Sequence, residues 1–356
     1  MFLEDFELFG NVEQAQNFLE SVKSGRFLFS FVMSYTETCE IPGITIAGAD
    51  TNSMQYTPPA DAEYLHYGYC KTIDTIPMTP DGKPTPGLLT KTALESASIP
   101  HLTINAGSKI TPQLPFIETG LPSGKNISVE PAMSDSDVSN AVEFGRIVGR
   151  NLASLTDCLV IGESIPGGTT TALAVLRSFD FDAKVSSSIP TNPTKLKNEI
   201  VNSALKRIDS DHPYSILAKV GDPMIAFVAG MLSSASSVSK VMLAGGTQMT
   251  AVLAFASKIG FNEENTAIGT TSYVTHDQNA NFTNLVKQIA DIPAISVNPG
   301  LNNSKYPGLK AFSEGFAKEG VGAGGSIISS MLKTGNDSTK FLNLAEQEYD
   351  RLSTLQ

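Results

Sequence analysis

Cysteine is scarce in this 356-residue chain: Cys39, Cys70 and Cys158 are odd in number, far apart and without a CxxC pair. That pattern excludes a disulfide framework and reads as reduced thiols in a cytoplasmic protein. Histidine is as sparse. His66, His101, His212 and His276 show no spacing of a metal site or a nucleophilic triad, and His276-Asp277 reads as a loop pair. There is no GxSxG elbow and no GxGxxG behind a strand. Charged residues make up 17% of the chain against 41% hydrophobic, which excludes a mainly disordered protein. The 25 basic and 36 acidic side chains leave a net charge of −11, so neither nucleic acid nor an anionic membrane is expected as a partner. No apolar run approaches the ~18 residues of a membrane span, and the acidic start MFLEDFELFGNVEQ lacks the basic and apolar regions of a secretory signal.

What is present is alternation. A length of 356 residues predicts two domains, or one large α/β domain with an appendage, at roughly 100 to 200 residues per domain. Short β-branched or apolar runs followed by glycine and then by a helical pattern predict βα units and a mainly parallel, Rossmann-like α/β sheet with flanking helices. Strands are expected at 26–35, 101–105, 157–162, 240–244, 267–274 and 294–297, and helices at 169–179 and 250–258. Residues 36–131 hold Pro58, Pro59, Pro77, Pro80, Pro84, Pro86, Pro112 and Pro115, which read as a long, largely irregular excursion that is either functional or conceals further elements. Helical periodicity returns at 12–23, 311–316, 326–332 and 341–352. The expected division is a large domain over 26–309 and a small helical domain assembled from 1–25 and 310–356.

Three segments carry candidate chemistry. Residues 162–171, GESIPGGTTT, fall between a strand and a helix, where turn amides and the helix dipole hold an anion. Gly167 and Gly168 let the backbone approach a ligand, and Thr169 and Thr170 add hydroxyls. The spacing nearly reproduces a Walker A loop, but Gly168 stands where its lysine belongs, so an NTPase loses its cation. A tight βα turn with capping threonines and no ligand is the alternative. Glu163 lies at the carboxyl edge of the sheet and suits a ribose hydroxyl or a base edge. The second segment, KEGVGAGG at 318–325, places Glu319 before Gly320 and Gly322. Its glycines serve either a ligand or close helix packing. The third is VSSSIP at 185–190 with Lys197 on a presumed helix, where Ser187 and the ammonium can complete a phosphate site. Gly245 opens a further GGT turn at the sheet edge.

On these residues the chain resembles the nicotinate-nucleotide:dimethylbenzimidazole phosphoribosyltransferase family, in its divergent branch known mainly from archaea and cyanobacteria. Glu163, Gly167, Thr169 and Thr170 match the family's Glu-x-x-x-Gly-x-Thr-Thr loop. Glu319, Gly320, Gly322 and Ala323 match its late Glu-Gly-x-Gly-Ala loop. The segments at 36–44, 56–63 and 221–232 also recur in that branch. The chain departs from the better-known members at Asn105-Ala106-Gly107 (Asp-His-Gly there), at Ala244-Gly245 (Asp-Gly) and at Ser186 to Pro190 (GxGTG), which leaves the acceptor base open. The resemblance implies transfer of phosphoribose from nicotinate mononucleotide to an aromatic base, dimethylbenzimidazole-like or adenine, without cofactor or metal, by a homodimer. It implies Glu319 as catalytic base, and Gly167, Gly168, Thr169 and Lys197 as anchors of the 5′-phosphate. A nucleotide-binding protein without transferase activity is the second reading, and a sugar-phosphate enzyme using the same anion site the third.

Overall fold

The computed structural model describes residues 5–354 apart from 49, 76 and 80, so Pro80 lies outside the described residues. Its strands are β1 (Phe6–Phe9), β2 (Phe27–Met33), β3 (His101–Asn105), β4 (Ile117–Glu118), β5 (Cys158–Ser164), β6 (Lys240–Ala244), β7 (Thr266–Thr271) and β8 (Ala294–Val297). They form one eight-stranded sheet of order β1-β8-β7-β6-β5-β2-β3-β4. Every neighbouring pair is parallel except β1 with β8. From the central β5 and β2 the chain order climbs outward to β8 on one side and β4 on the other, with β1 added antiparallel beyond β8, so the switch point lies between β5 and β2, where Phe31 pairs Gly162 and Met33 pairs Ser164.

The helices are α1 (Val12–Val22), α2 (Thr57–Tyr67), α3 (Gly87–Ser96), α4 (Asp135–Ala153), α5 (Gly168–Ser178), α6 (Thr194–Leu205) and α7 (Pro213–Val220). They continue as α8 (Pro223–Ala235), α9 (Thr247–Ile259), α10 (Ser272–Thr275), α11 (Phe282–Ile289), α12 (Pro307–Lys310), α13 (Ala323–Thr334) and α14 (Ser338–Ser353). The sheet is covered on both faces, and its strands show why. Phe27, Phe29, Phe31 and Met33 of β2 and Val160 of β5 join one core with α1, α2, α3, α13 and α14. Val32, Leu159 and Ile161 point the other way, into a core with α4 to α9 and α11. The period-two alternation thus feeds two apolar layers, as a doubly covered parallel sheet requires.

Two expectations need correction, and one open alternative is decided. Residues 1–25 are not helical throughout, because β1 pairs with β8 in the main sheet. Residues 311–316 form turns after α12 rather than a helix, with Ala311 accepting the Phe316 amide in a tight reversal. The proline-rich stretch conceals elements: Pro58 and Pro59 occupy the first turn of α2, where a missing N–H costs nothing, and Pro86 caps α3. The terminal helices and the sheet also share a core. The hydroxyl of Tyr64 on α2 donates to Glu348 on α14 at 2.7 Å, and Arg351 donates to the Gly68 carbonyl at 2.7 Å.

Candidate active site

The carboxyl ends of β2, β5, β6 and β7 open onto one region. β5 delivers Glu163 and Ser164 there and then turns into α5 through Gly167, which is left-handed with φ +75. A Cβ on Gly167 would lie 2.8 Å from the Cys39 Cβ, and one on Gly168 2.4 Å from the Gln248 Nε2. Packing against Cys39 and Gln248 therefore excludes any side chain at these two positions. The remaining groups are Thr169, half-buried, and Thr170, whose buried hydroxyl has no partner. The helix start carries no side-chain cap.

Across from this turn stands Glu319. Its carboxylate accepts the amides of Thr271 at 3.0 Å, Gly324 at 3.1 Å and Gly320 at 3.2 Å, and the Thr270 hydroxyl at 3.4 Å. The two loops, far apart in sequence, meet directly. The Val321 amide donates to the Glu163 carbonyl at 3.0 Å, and the Thr90 hydroxyl donates to the Val321 carbonyl at 2.9 Å. Val321 holds φ +55, a strained value for a β-branched residue, and Gly322 follows at φ +73 as the cap of α13. Gly324 lies so close to β7 that a Cβ there would sit 2.2 Å from the Thr270 carbonyl carbon.

Four carboxyls gather at this edge with no cation among their hydrogen-bond partners. Asp61 accepts the Thr85 and Ser164 hydroxyls, each at 2.8 Å. Asp222 caps α8 through the Ile225 amide at 2.9 Å and accepts the Thr171 hydroxyl. Glu163 accepts the Gln248 amide at 3.1 Å. Burial, followed by the charges of Asp222, Glu319 and Asp61, lifts Glu163 to about 8. Burial lifts Glu319 to about 7, the surrounding amides pulling part of the way back. Asp61 and Asp222 rise to about 6 for the same first cause, against their hydroxyl and amide donors. Among the described residues no group of three or more His, Cys, Asp or Glu is placed to hold a metal.

A cationic pocket adjoins the acids. Lys318 is buried, donates to the Ser187 carbonyl at 3.1 Å and pairs with Asp277 at 3.1 Å. Lys197 is 1% exposed and donates to the Ser186 carbonyl at 3.0 Å. Burial and then Lys318 depress its ammonium to about 7, with Asp277 opposing. Ser186 donates to Asp277 at 2.7 Å, and its amide donates to Thr247, at the start of α9, at 3.2 Å. The helix starts of α5 and α9 thus stand side by side at the sheet edge, bridged by Gln248. The Gly245 amide goes to the Gly269 carbonyl at 3.0 Å, so that glycine serves the turn rather than offering a free donor. His276 pairs with Glu7 at 3.0 Å while Asp277 turns inward, which separates that pair.

The departures have structural uses. Asn105 donates to Glu118 at 2.9 Å and accepts the Ser108 amide at 2.8 Å, tying down the loop after β3. Ala244 is fully buried, and a Cβ on Gly325 would stand 2.4 Å from its methyl, so the small residue admits the start of α13. Reading the sequence did not find Asp61, Asp222, Gln248 or Asp277 as site residues. Their positions become special only when β5, α2, α8 and α9 converge, and the cap position of Asp222 before Pro223 was the one local signal.

Fold and site together define an α/β protein with four buried carboxyls and an adjoining pair of buried lysines at the carboxyl edge of a mainly parallel sheet. Residues 100–280 match the family described as phosphoribosyltransferase. The chain is 45% identical over 328 residues to a UPF0284 protein of Archaeoglobus fulgidus, covering 92% of this chain and 94% of that one. It is 41% identical to a UPF0284 protein of Sulfurisphaera tokodaii, covering 93% and 95%. In fold it is similar to the nicotinate-nucleotide-dimethylbenzimidazole phosphoribosyltransferase of Thermus thermophilus, with a TM-score of 0.62, 16% identity and coverage of 94% of this chain and 92% of that one. The chain belongs to the phosphoribosyltransferase family.

Proposed function

We propose that this phosphoribosyltransferase moves the 5-phosphoribosyl group of nicotinate mononucleotide to an aromatic base, giving nicotinate and an α-ribotide for the lower-ligand nucleotide of cobalamin. The observation that carries this reading is the Glu319 carboxyl. It is suspended by the amides of Thr271, Gly320 and Gly324, lifted to about 7, and joined through Val321 to the β5–α5 turn.

The chemistry follows from charge. The C1–N bond to the pyridinium breaks with its electron pair passing to the ring nitrogen, so nicotinate leaves as a neutral ring nitrogen and needs no acid. A nitrogen of the acceptor base forms the new bond to C1 from the opposite face, which inverts that centre, and its N–H proton passes to Glu319. A base near neutrality suits proton transfer at working pH. The ionised carboxylates of Asp61, Asp222 and Glu319 favour a cationic pyridinium and the positive character developing on ribose. Glu163, which retains its proton at neutral pH, can donate to a ribose hydroxyl.

The phosphate seat rests on the adjoining lysines. Lys197 and Lys318 face one carboxylate, Asp277, and a buried surplus of positive charge calls for an anion. The open hydroxyl of Thr170, the uncapped start of α5 and Ser187 lie along the same edge. Binding the phosphate at a distance from C1 orients the sugar for attack. Assembly as a homodimer belongs to the same reading, and sedimentation of the purified chain checks it.

The test incubates the protein with nicotinate mononucleotide and either dimethylbenzimidazole or adenine, and measures nicotinate and the new ribotide. Release of both with at least one base is expected. Tight nucleotide binding without release for any base would leave a binding protein instead.

A further inference from the structure

A second cleft, of about 330 Å³, opens on the flank of α5 between residues 183–185, the start of α6 and the 278–279 loop. None of the four carboxyls, nor Lys318, nor the 167–170 turn lines it. Its far wall, Arg177, stands roughly 14 Å along α5 from Gly168 at 1.5 Å per residue. Lys197 is the one side chain it shares with the site described above.

The lining is chemically one-sided. Arg177, Lys184 and Lys197 supply cations, and no acidic side chain lines the cleft. The Arg177 guanidinium and the Lys184 ammonium make no ion pair or side-chain hydrogen bond among the described residues. Lys197 is almost fully buried and spends a single hydrogen bond, on the Ser186 carbonyl. Two further wall groups are incomplete. The side-chain oxygens of Asn192 and Asn198 are buried without a donor. Asn192 is oriented by its own amide, which donates to the Val185 carbonyl at 2.8 Å, so its oxygen is the free end. Buried acceptors left open are uncommon in folded chains and mark a place where a donor belongs. Cations ask for an anion, and the two amide oxygens ask for hydroxyl or N–H donors close to it.

We propose that this cleft is a second ligand site, which takes a small phosphate ester carrying free hydroxyl groups. The guanidinium of Arg177, with the Lys184 ammonium, meets the phosphate, while Lys197 stays with the Ser186 carbonyl and the sheet-edge site. The hydroxyls donate to Asn192 and Asn198. A cleft of about 330 Å³ suits a single pentose phosphate rather than a dinucleotide. The site does not depend on the reaction assigned to the sheet edge.

Equilibrium dialysis with labelled ribose 5-phosphate tests this, using the full chain with and without excess nicotinate mononucleotide. In its presence, one equivalent of ribose 5-phosphate remains bound. Arg177→Ala and Asn198→Leu each weaken that equivalent at least tenfold while the melting temperature holds, and Glu319→Gln leaves it unchanged. Lys184→Ala serves if Asn198→Leu does not fold. Inorganic phosphate binds about tenfold more weakly than ribose 5-phosphate, the worth of one or two hydroxyl bonds, and ribose alone does not bind. The proposal is overturned if no ribose 5-phosphate binds, or if binding survives Arg177→Ala and Asn198→Leu. It is also overturned if nicotinate mononucleotide displaces all of it, since the cleft would then be part of the reaction site. Loss of transferase activity in the assay above would leave this result untouched.

Discussion

Replacing Glu319 by Gln separates two opposite pH responses of one carboxyl. Burial raises this group from its ordinary 4.5 to about 7 in the folded chain. Between those values the folded chain keeps a proton that the unfolded chain has lost, so stability falls as pH rises. The contribution is full below 4.5, is lost on passing about 7, and amounts to roughly 3 kcal/mol. Activity runs the other way, because the base must be ionised: kcat/KM rises through about 7. Gln has a fixed neutral end, so E319Q lacks both responses. Its NH₂ also meets amide donors where an oxygen stood, a loss of about 1–3 kcal/mol at every pH, and turnover falls roughly a hundredfold or more. Urea unfolding between about pH 5 and 8, beside nicotinate release at the same pH values, measures both. Glu163, Asp61 and Asp222 slope the same way as Glu319, while the depressed Lys197 slopes against them. The stability of the wild type minus that of the variant is therefore the quantity to follow, and it should fall with pH. A difference flat in pH would refute the raised carboxyl, and near-normal turnover would remove Glu319 as the base.

Three further outcomes are expected. Gly324→Ala places a methyl 2.2 Å from the Thr270 carbonyl carbon. It should cost about 3 kcal/mol in urea unfolding and lower turnover as well, because the Gly324 amide holds Glu319. Lys318→Met strands Asp277 in a buried setting and should lower stability by about 3–5 kcal/mol, with Lys318→Met/Asp277→Asn recovering part of the loss in a double-mutant cycle. Gln248→Leu removes the donor to Glu163, so that carboxyl should titrate above its present value of about 8 by carbon NMR, with roughly 1 kcal/mol lost in stability.

Much of the sheet was legible because its signals are local. The runs at 101–105, 240–244 and 294–297 match β3, β6 and β8, and the glycine-led helices α5 and α9 begin within a few residues of their expected starts. β1 was missed because a four-residue strand at a sheet edge carries too short an alternation to register. Residues 311–316 misled for the converse reason: apolar residues at helical spacing are packed there by a turn, with Phe312 buried. In the proline-rich stretch, proline was read as an interruption where it opens helices, and only the position of Pro58 and Pro59 in the first turn of α2 distinguishes the two.

By its own pattern the sequence specified a mainly parallel α/β sheet, one glycine-bearing loop between a strand and a helix and another ahead of a late helix, and an acid beside each. Hydrophobic period and glycine placement act over neighbouring residues, so they survive without coordinates. Tertiary structure alone decided what those groups became. It brought Val321 onto the Glu163 carbonyl, filled the space at Gly167 and Gly168 with Cys39 and Gln248, and set Asp61 and Asp222 beside Glu163. Carboxyl titration and lysine pairing depend on burial and on charges brought from distant parts of the chain, and those distances exist only once the strands are ordered around the switch between β2 and β5.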